Sequence, residues 1–291
     1  MRSFITYNRI IIMSIEYPPI YSKKRLFQWT KSFLRKYNIK PKDRLSQSFL
    51  INPKMLHEIG YWLEKLSVNK NETICEIGSG IGIITYYLVR NEYKVLAIEI
   101  DSKLANASYE LFKRFKRAVL INADALEIPF NCNTIVSNTP FHMSSQLLLK
   151  IARSNNVSKA ILVFQKDVVE RIAAKPGTKE YGRLSIIIQQ VFDLKRGSIY
   201  SPSSFYPKPK VSTQLIVLVR KNEYGLLYYK LEEITRVLFT ERRKKALSVI
   251  SRKLGLSKSA IKELGIDDKV RIYQLSPEIF VKIASYMRDS L

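Results

Sequence analysis

Short apolar runs alternate with helical stretches along the middle of the chain. From Thr73 onward, the runs TICEI, KVLAIEI, AVLIN, TIVSN and KAILVFQ are rich in β-branched and aliphatic residues, and stretches such as IITYYLVRN and SKLANASYELFKRF separate them. Strands that alternate with helices are typical of a parallel sheet with helices on its faces. The pattern therefore predicts an α/β fold, a doubly wound, Rossmann-like sheet.

The pattern changes towards both ends of the chain. The segments VFDLKRGSIY and STQLIVLVR predict two closing strands around a Pro-rich link, SPSSFYPKPK. After Arg220 only helical periodicity remains, over 229–239, 243–254, 257–264 and 277–288. The first 40 residues hold one predicted helix, near LFQWTKSFLRKY, and are otherwise rich in Lys, Arg, Tyr and Phe. We therefore predict a basic N-terminal extension (1–40), a Rossmann-like domain (41–220) and a small C-terminal all-α domain (221–291).

The charge balance points to a polyanionic partner. The 291 residues include 49 Lys and Arg against 25 Asp and Glu, a formal net charge of +24, and the 46% hydrophobic share is enough to fill a core. A solvated basic surface or an acidic membrane surface are the alternatives. No apolar run approaches the ~18 residues of a membrane span, and the start MRSFITYNRIIIM lacks the apolar core and cleavage site of a signal peptide. We therefore predict a cytoplasmic protein that does not span a membrane, with Met13 as an alternative start.

The two cysteines give no indication of a metal site or a disulfide framework. Cys75 and Cys132 are 57 positions apart, no CxxC motif is present, and the chain has two histidines. Cys75 lies within an apolar strand pattern, where a buried thiol acts as a small hydrophobic residue. We therefore predict free, structural thiols in a reducing compartment, and no metal.

Polar residues stand where four successive predicted strands end. The motif EIGSGIG follows the first strand, and its spacing is GxGxG rather than the dinucleotide-binding GxGxxG, because position 83 is Ile83. Glu99 ends the second strand, 21 residues after Gly78, where doubly wound folds place an acid against ribose hydroxyls. Asp124 and Asn138 end the next two. Any one acid alone suits a helix cap or a turn, but the set predicts a site for a nucleoside-type cofactor.

The segment SNTPF suits recognition of a flat ring that carries an amine. The amide oxygen of Asn138 and the carbonyl of Thr139 or Pro140 are acceptors for the two N–H groups of an exocyclic amine, and Phe141 offers a stacking face. The proline holds both acceptors in place before the ligand arrives. The alternative is an ordinary turn between a strand and a helix, with Ser144 as the N-cap.

These motifs together resemble a known family. EIGSGIG, AIEID, NADAL and NTPF, in this order and spacing, are similar to motifs of the S-adenosylmethionine-dependent small-subunit rRNA adenine N6-dimethyltransferases, the KsgA-like dimethyladenosine transferases. The segments RLSQSFL (44–50), FQKDVVERIAAKPGTKEYGRLS, FYPKPKVST and ERRKKAL also resemble family segments. The resemblance spans about residues 40 to 250. It implies a Rossmann-like methyltransferase domain followed by a small all-α domain that binds RNA.

The resemblance also implies a role for individual residues. It assigns the methionine side of S-adenosyl-L-methionine to Gln47, Ser48 and Leu50, the loop beneath it to Gly78 and Gly80, its ribose to Glu99 and its adenine to Asp124. The target adenine is assigned to Asn138, Pro140 and Phe141, and Asn138 also belongs to the cofactor site. A basic helix that contains Arg242, Arg243, Lys244 and Lys245 is expected to grip RNA phosphates.

The chain departs from the family motifs at four positions. Ser46 and Ser48 stand where the family usually has glycine and asparagine, so a contact of Ser48 with the cofactor is expected through its backbone. Thr139 replaces the usual Leu or Ile, and Phe141 stands where Tyr is common. The change to Phe141 keeps a ring for stacking and removes the phenol hydrogen bond.

The function implied by the resemblance is N6-methylation or dimethylation of adenine in small-subunit rRNA, as part of ribosome biogenesis. The expected partner is ribosomal RNA or a precursor of the small subunit, and the protein is expected to be a monomer. Two alternatives stay open: methylation of adenine in large-subunit rRNA, and a ribosome-assembly or RNA-binding factor that uses the fold as a scaffold. The intact Glu99, Asp124 and Asn138 favour an active enzyme.

Overall fold

The computed structural model of the protein describes residues 17–289, so Met13 and all of the first 16 positions of the predicted extension lie outside the described residues. Eleven helices and nine strands are present within this range. The helices are α1 (Lys23–Lys36), α2 (Pro53–Lys65), α3 (Ile83–Arg90), α4 (Ser102–Phe112), α5 (Ser144–Arg153), α6 (Lys166–Ile172), α7 (Arg183–Val191), α8 (Leu226–Leu238), α9 (Ala246–Leu254), α10 (Lys258–Glu263) and α11 (Pro277–Asp289). The strands are β1 (Phe49–Leu50), β2 (Thr73–Ile77), β3 (Lys94–Glu99), β4 (Ala118–Asn122), β5 (Thr134–Asn138), β6 (Lys159–Gln165), β7 (Phe192–Tyr200), β8 (Phe205–Tyr206) and β9 (Thr213–Arg220).

Seven strands form one sheet in the order β4-β3-β2-β5-β6-β9-β7. Strands β2 to β6 are mutually parallel where they pair, and β9 runs antiparallel to both β6 and β7. The carboxyl ends of the parallel strands therefore share one edge of the sheet. In open α/β sheets this edge is where ligands bind.

Two hydrophobic clusters cover the two faces of the sheet. Along β6, Ile161 and Val163 belong to the cluster that includes α1 to α4, while Ala160, Leu162 and Phe164 belong to the cluster that includes α5 to α11. Successive side chains of a strand point to opposite faces, so a fully apolar run supplies both clusters. The predicted α/β fold with a doubly wound sheet is confirmed, and all seven predicted strands are present in this sheet.

The segment between residues 23 and 36 contributes to the core. Helix α1 begins after Ser22, whose hydroxyl accepts a hydrogen bond from the Arg25 backbone N–H at 3.4 Å. Its buried face carries Leu26, Trp29, Thr30, Phe33 and Leu34. The described part of the predicted basic extension thus packs against the sheet, a role that its charged composition does not indicate.

The prediction of free cysteines is wrong. Cys75 and Cys132 form a disulfide, with their Cα atoms 5.9 Å apart. Cys75 lies on β2, and Cys132 lies two residues before β5, the neighbour of β2 in the sheet. The pairing of β2 with β5 brings the two thiols together, and that long-range contact cannot be read from a separation of 57 residues.

The helix predicted over 243–254 is present from Ala246 onward, but the prediction that Arg242 to Lys245 lie on a helix is wrong. Helix α9 begins at Ala246, and Arg242 to Lys245 form the turn that precedes it. The backbone of this turn bonds to the segment before α11: the Tyr273 N–H donates to the Arg242 carbonyl at 3.0 Å, and the Ile272 N–H donates to the Lys244 carbonyl at 3.2 Å. These bonds use carbonyl groups that a continuous helix would use internally, so α9 does not extend back through this turn.

A small two-stranded ribbon lies apart from the main sheet. β1 pairs antiparallel with β8, so that Leu50 stands opposite Phe205 and Phe49 opposite Tyr206. The Ser48 hydroxyl donates to the Pro207 carbonyl at 2.7 Å, which extends the contact on one side. We call this pair the β1–β8 ribbon. It joins the segment before α2 to the Pro-rich loop between β7 and β9.

Candidate active site

One cavity at the carboxyl edge of the sheet brings together every residue that the sequence assigns to the cofactor and the target adenine. Its space, open to solvent on one side, is about 1050 Å³. The lining includes Gln47, Ser48, Leu50, Gly78, Gly80, Glu99, Asp124, Asn138, Pro140 and Phe141. The four basic residues Arg242 to Lys245 are not part of this lining. The mixed polar and apolar walls are those of a small-molecule site.

The loop after β2 lies close to the floor of the cavity because of its glycines. Gly78 and Gly80 adopt positive φ angles of 70° and 58°, a conformation that side chains disfavour. A Cβ atom at Gly78 would lie 3.3 Å from Pro140, and one at Gly80 would lie 3.3 Å from the Phe49 ring. The glycines therefore keep a cradle free in which a flat or extended ligand can lie against the backbone.

Glu99 is held at the end of β3 by two backbone groups. Its Oε2 accepts the Gly80 N–H at 2.7 Å and its Oε1 accepts the Asp101 N–H at 2.9 Å, and the residue is 5% exposed. Burial raises the pKa of Glu99, and the two N–H bonds oppose this shift. Each oxygen keeps a second lone pair, so the carboxylate is oriented to accept hydrogen bonds from a diol at the cavity wall.

Asp124 stands at the far end of the same edge, beyond β4. Its Oδ1 accepts the Leu126 backbone N–H at 2.8 Å, which fixes the turn that follows. Lys150 on α5 secures this loop from the other side, because its ammonium group donates to the Ala125 carbonyl at 2.7 Å and to the Ile128 carbonyl at 2.5 Å. The second carboxylate oxygen of Asp124 makes no recorded bond within residues 17–289, so it is free to meet a ligand.

Glu76, a residue that the sequence analysis passed over, lies beneath the glycine loop. It is 1% exposed and accepts a hydrogen bond from the Thr85 hydroxyl at 2.5 Å. Burial raises the pKa of Glu76 to about 8, the Thr85 bond lowers it in part, and the charge of Glu99 raises it further. A third carboxyl group, beside those of Glu99 and Asp124, therefore lines the cavity and holds its proton at neutral pH.

The motif at 44–50 forms a wall that is tied down by its own side chains. Gln47 accepts the Lys42 backbone N–H at 2.8 Å and donates to Asp101 Oδ2 at 2.8 Å. Lys42 completes the cluster through an ion pair with the same carboxylate at 2.8 Å. Asp101 was not singled out from the sequence, although it stands two residues after Glu99. The side-chain amide of Gln47 thus makes its hydrogen bonds within the protein and holds this wall of the cavity in place.

The motif accommodates the two serines that replace the glycine and asparagine usual in the family. Ser46 adopts a positive φ of 49°, the left-handed conformation that suits the glycine usual at this position. The hydroxyl of Ser48 points away to the Pro207 carbonyl, while its own carbonyl accepts a bond from Asn138. Leu50 is 3% exposed and forms an apolar part of the wall. Ser48 therefore contributes its backbone to the site.

The side chain of Asn138 is oriented by this backbone. Its Nδ2 donates to the Ser48 carbonyl at 3.1 Å, and within residues 17–289 its Oδ1 makes no recorded hydrogen bond. Because the amide nitrogen is committed to the wall, the amide oxygen is left as an acceptor for a ligand. The backbone before the next turn is fixed by the Thr139 N–H, which donates to the Val163 carbonyl at 3.1 Å.

The turn after Asn138 presents a carbonyl and a ring. The Pro140 carbonyl accepts the Met143 N–H at 3.2 Å and keeps a second lone pair, and Phe141 is half-buried at the cavity mouth. Ser144 does not act as an N-cap, because its hydroxyl donates to the Phe141 carbonyl at 3.0 Å and α5 has no side-chain cap. The plain turn with a Ser144 cap, the alternative from the sequence, is thus not the arrangement found.

The four basic residues form a separate surface with unequal freedom. Arg242 donates to the backbone carbonyls of Thr178 and Lys179 at 3.2 and 3.0 Å, and its guanidinium lies 5.6 Å from the centre of the Tyr273 ring. Arg243, Lys244 and Lys245 are exposed. Arg242 therefore supports the turn, and the other three side chains face solvent.

The described part of the chain contains neither a metal-binding cluster nor a membrane-spanning helix. Residues 17–289 contain no group of three or more His, Cys, Asp and Glu side chains that is placed to hold a metal ion. Across the same range, no helix combines the length and the apolar character needed to cross a bilayer.

Comparison with known proteins identifies the family. The model of the family described as "Ribosomal RNA adenine dimethylase" matches residues 38–289, most of the chain. The chain belongs to the ribosomal RNA adenine dimethylase family. The resemblance drawn from the sequence motifs is thus confirmed, and with it the prediction of a methyltransferase.

Several relatives match most of the chain. It is 32% identical over 276 residues to the "Probable ribosomal RNA small subunit methyltransferase A" of Thermococcus gammatolerans, covering 92% of this chain and 95% of the relative. It is 37% identical over 250 residues to the protein of the same name from Methanosphaera stadtmanae, covering 85% and 88%. The Clostridium botulinum "Ribosomal RNA small subunit methyltransferase A" is 32% identical, covering 90% and 99%.

Solved structures support the fold of the chain. A dimethyladenosine transferase from Plasmodium falciparum matches with a TM-score of 0.71 at 22% identity, covering 83% of this chain and 98% of that one. The 23S rRNA methyltransferase ErmE matches with a TM-score of 0.63 at 21% identity, covering 82% and 99%. At this identity the likeness concerns the fold.

Proposed function

We propose that the protein transfers methyl groups from S-adenosyl-L-methionine to N6 of adenine in small-subunit ribosomal RNA, within ribosome biogenesis. The orientation of Asn138 carries the proposal, because its free amide oxygen and the Pro140 carbonyl are two acceptors beside the ring of Phe141. An adenine stacked on that ring offers two N–H donors to those acceptors. The curated relatives named for small-subunit methylation support the choice of RNA.

The other end of the cavity fits the proposed cofactor. The cradle left open by Gly78 and Gly80 suits an extended ligand, the two oxygens of Glu99 suit the ribose hydroxyls, and the free oxygen of Asp124 suits the amine of its adenine. The backbone of Ser48 and the side chain of Leu50 would line its methionine part. When bound, S-adenosyl-L-methionine supplies an electrophilic methyl group.

The residues of the chain contribute mainly by position. Asn138 and the Pro140 carbonyl accept hydrogen bonds from the target amine, which draws its nitrogen towards a tetrahedral geometry and withdraws the lone pair from conjugation with the ring. Phe141 holds the base that has left its RNA helix and offsets part of an unpairing cost of a few kcal/mol. Such orientation is worth about 7 kcal/mol or more of an activation barrier. The proton released from the amine passes to water.

The wider setting of the site is part of the same proposal. We assign residues 41–220 to the methyltransferase domain and residues 221–291 to a helical RNA-binding domain, after the basic segment 1–40. The exposed Arg243, Lys244 and Lys245 are proposed to contact phosphates, with Arg242 as their support. We further propose a cytoplasmic monomer that needs no metal ion.

A comparison of two variants tests the proposal. Asn138→Ala is expected to lower the single-turnover rate of methyl transfer to small-subunit particles by about a hundredfold, while the Kd for S-adenosyl-L-methionine changes little, since a contact made during reaction is lost. Glu99→Ala is expected to raise that Kd. Transfer by Asn138→Ala at the wild-type rate would contradict the proposal, and label found in large-subunit RNA alone would redirect it to that substrate.

A further inference from the structure

A second groove lies on the other side of the β1–β8 ribbon. Leu50 and Phe205 of the ribbon line the cavity, whereas Asn52 and Ser204, at its margin, line the groove and are joined by a hydrogen bond of 3.0 Å. The other walls are α2 and the carboxyl end of β7. The groove encloses about 1410 Å³ of space open to solvent. It therefore begins one ribbon away from the site of the target base.

The shape of the groove is fixed by Glu58 of α2. Its Oε1 accepts the Ser198 backbone N–H at 2.8 Å, and its Oε2 accepts the hydroxyl of Tyr200. Both bonds hold the irregular part of β7, where its pairing with β9 shifts register. A Cβ atom at Gly197 would clash with the Glu58 carboxylate and the Leu215 side chain, so glycine lets the strand lie close to both. Hydrogen bonds and close packing thus fix the wall of the groove.

The charges of the groove suit an anion. Glu58 is the one carboxylate among its described lining residues, and both of its oxygens already accept hydrogen bonds from the protein. Lys54 and Arg196 are exposed in the same lining, and within residues 17–289 neither side chain has a recorded hydrogen bond or ion pair. Two unpaired cations therefore flank a groove without a free negative charge.

An aromatic side chain lines the same groove as the two cations. Tyr61 on α2 is 53% exposed, and its ring lies 5.4 Å from that of Trp62 in a T-shaped contact. The ammonium group of Lys65 lies 5.2 Å from the centre of the Tyr61 ring and donates to its hydroxyl at 2.9 Å. These contacts hold the ring in place while about half of its surface stays open, as a stacking platform requires.

We propose that this groove binds the single-stranded RNA that flanks the target adenine, with a base on Tyr61 and phosphates on Lys54 and Arg196. Aromatic faces interleaved with cations are what single-stranded nucleic acid needs, because every base has a face to stack and every linkage has a charge. The identity of this RNA segment rests on the proposed function: the groove is separated from the cavity only by the ribbon, so the nucleotides next to a target adenine in the cavity would reach it. An acidic protein segment would use the cations but not the ring face.

Binding of a fluorescently labelled single-stranded RNA of about 12 nucleotides, measured by anisotropy without cofactor, tests this proposal. Tyr61→Ala is expected to raise the Kd about tenfold through loss of stacking, and Tyr61→Phe to leave it within about twofold. Lys54→Glu and Arg196→Glu are each expected to lower the salt dependence, the slope of log Kd against log salt, by about one. Lys94→Glu is the matched control, because this exposed lysine begins β3, which lies next to the edge strand β4, whereas the groove lies at the other edge, β7.

Three outcomes separate the possibilities. Wild-type affinity and salt dependence in Tyr61→Ala and Arg196→Glu would overturn the groove assignment, as would an equal effect of Lys94→Glu. A polyglutamate peptide that binds with the same dependence on Tyr61 would assign the groove to acidic protein segments instead. Unchanged Kd values for S-adenosyl-L-methionine show that the variants are folded. Failure of methyl transfer with RNA binding retained counts against the proposed function and not against the groove.

Discussion

Replacement of Glu76 by glutamine should make the protein more stable, and increasingly so as the pH rises. Glu76 is almost fully buried beneath the glycine loop, and burial raises its pKa from 4.5 to about 8. The unfolded chain therefore loses this proton from about pH 4.5 upward, whereas the folded protein keeps it up to about pH 8. Because the folded state binds more protons over that window, stability falls as the pH rises through it.

The size of the effect follows from the shift in the pKa of Glu76. Each pH unit between the two pKa values costs about 1.4 kcal/mol of unfolding free energy, so the full window costs about 5 kcal/mol. Glutamine does not ionise, and its amide oxygen can still accept the bond from the Thr85 hydroxyl. Between pH 5.5 and pH 7.5 the advantage of Glu76→Gln over wild type is therefore expected to grow by about 3 kcal/mol.

Guanidinium-induced unfolding at a series of pH values measures this difference, and the other titrating groups cancel because both proteins share them. Glu72→Gln is the matched control, since it removes an exposed carboxyl group that makes no recorded ion pair within residues 17–289. A gap between Glu76→Gln and wild type that stays constant from pH 5 to pH 8.5 would refute the reasoning. Parallel growth of the gap for Glu72→Gln would do so as well.

Three further predictions concern the ring, the disulfide and the wall of the cavity. Phe141→Ala should lower single-turnover methyl transfer about tenfold to a hundredfold and Phe141→Trp should retain most of it; equal rates for both would rule out stacking. The Cys132→Ser variant should lose about 4 kcal/mol of unfolding free energy, because it lacks the disulfide with Cys75 that closes a long loop. A thiol assay on denatured wild-type protein should detect two thiols only after reduction. Two thiols before reduction would show that the disulfide is absent. Asp101→Asn should weaken S-adenosyl-L-methionine binding about tenfold, because Lys42 loses its ion-pair partner, while kcat at saturation should change little. An unchanged Kd would show that the cluster of Lys42, Gln47 and Asp101 does not shape the cofactor site.

The strand ends could be predicted because they follow from local pattern and from one topological rule. Glu99, Asp124 and Asn138 each end an apolar run, and parallel strands bring such ends to one edge. The alternation of strands and helices indicated the helix over 144–153, but the helices over 53–65 and 183–191 were not predicted. In the last of these, the β-branched run at 186–188 gives no helical signal by itself, and burial between the sheet and α8 decides its conformation.

Contacts between distant segments could not be predicted. The amide of Gln47 meets Asp101 across 54 positions of sequence, and nothing near either residue indicates the other. The cysteine pair depends in the same way on the neighbouring strands β2 and β5. The basic turn at Arg242 to Lys245 reads as helix locally, but its backbone bonds to 270–273 override that tendency. Local pattern thus gives the residue types of the site, and tertiary contacts determine their orientation.

The β1–β8 ribbon makes completion of the cavity a late event in the synthesis of the protein, because β8 belongs to the wall of the cavity. Ser48, on one side of the cavity wall, bonds to Pro207, 159 positions later, and Phe205 of the ribbon lines the cavity. A nascent chain that ends before this loop has its glycine turn and its Glu99 but lacks part of the wall around them. An enzyme that modifies ribosomes therefore cannot complete its pocket until the ribosome that makes it has released more than two-thirds of the chain.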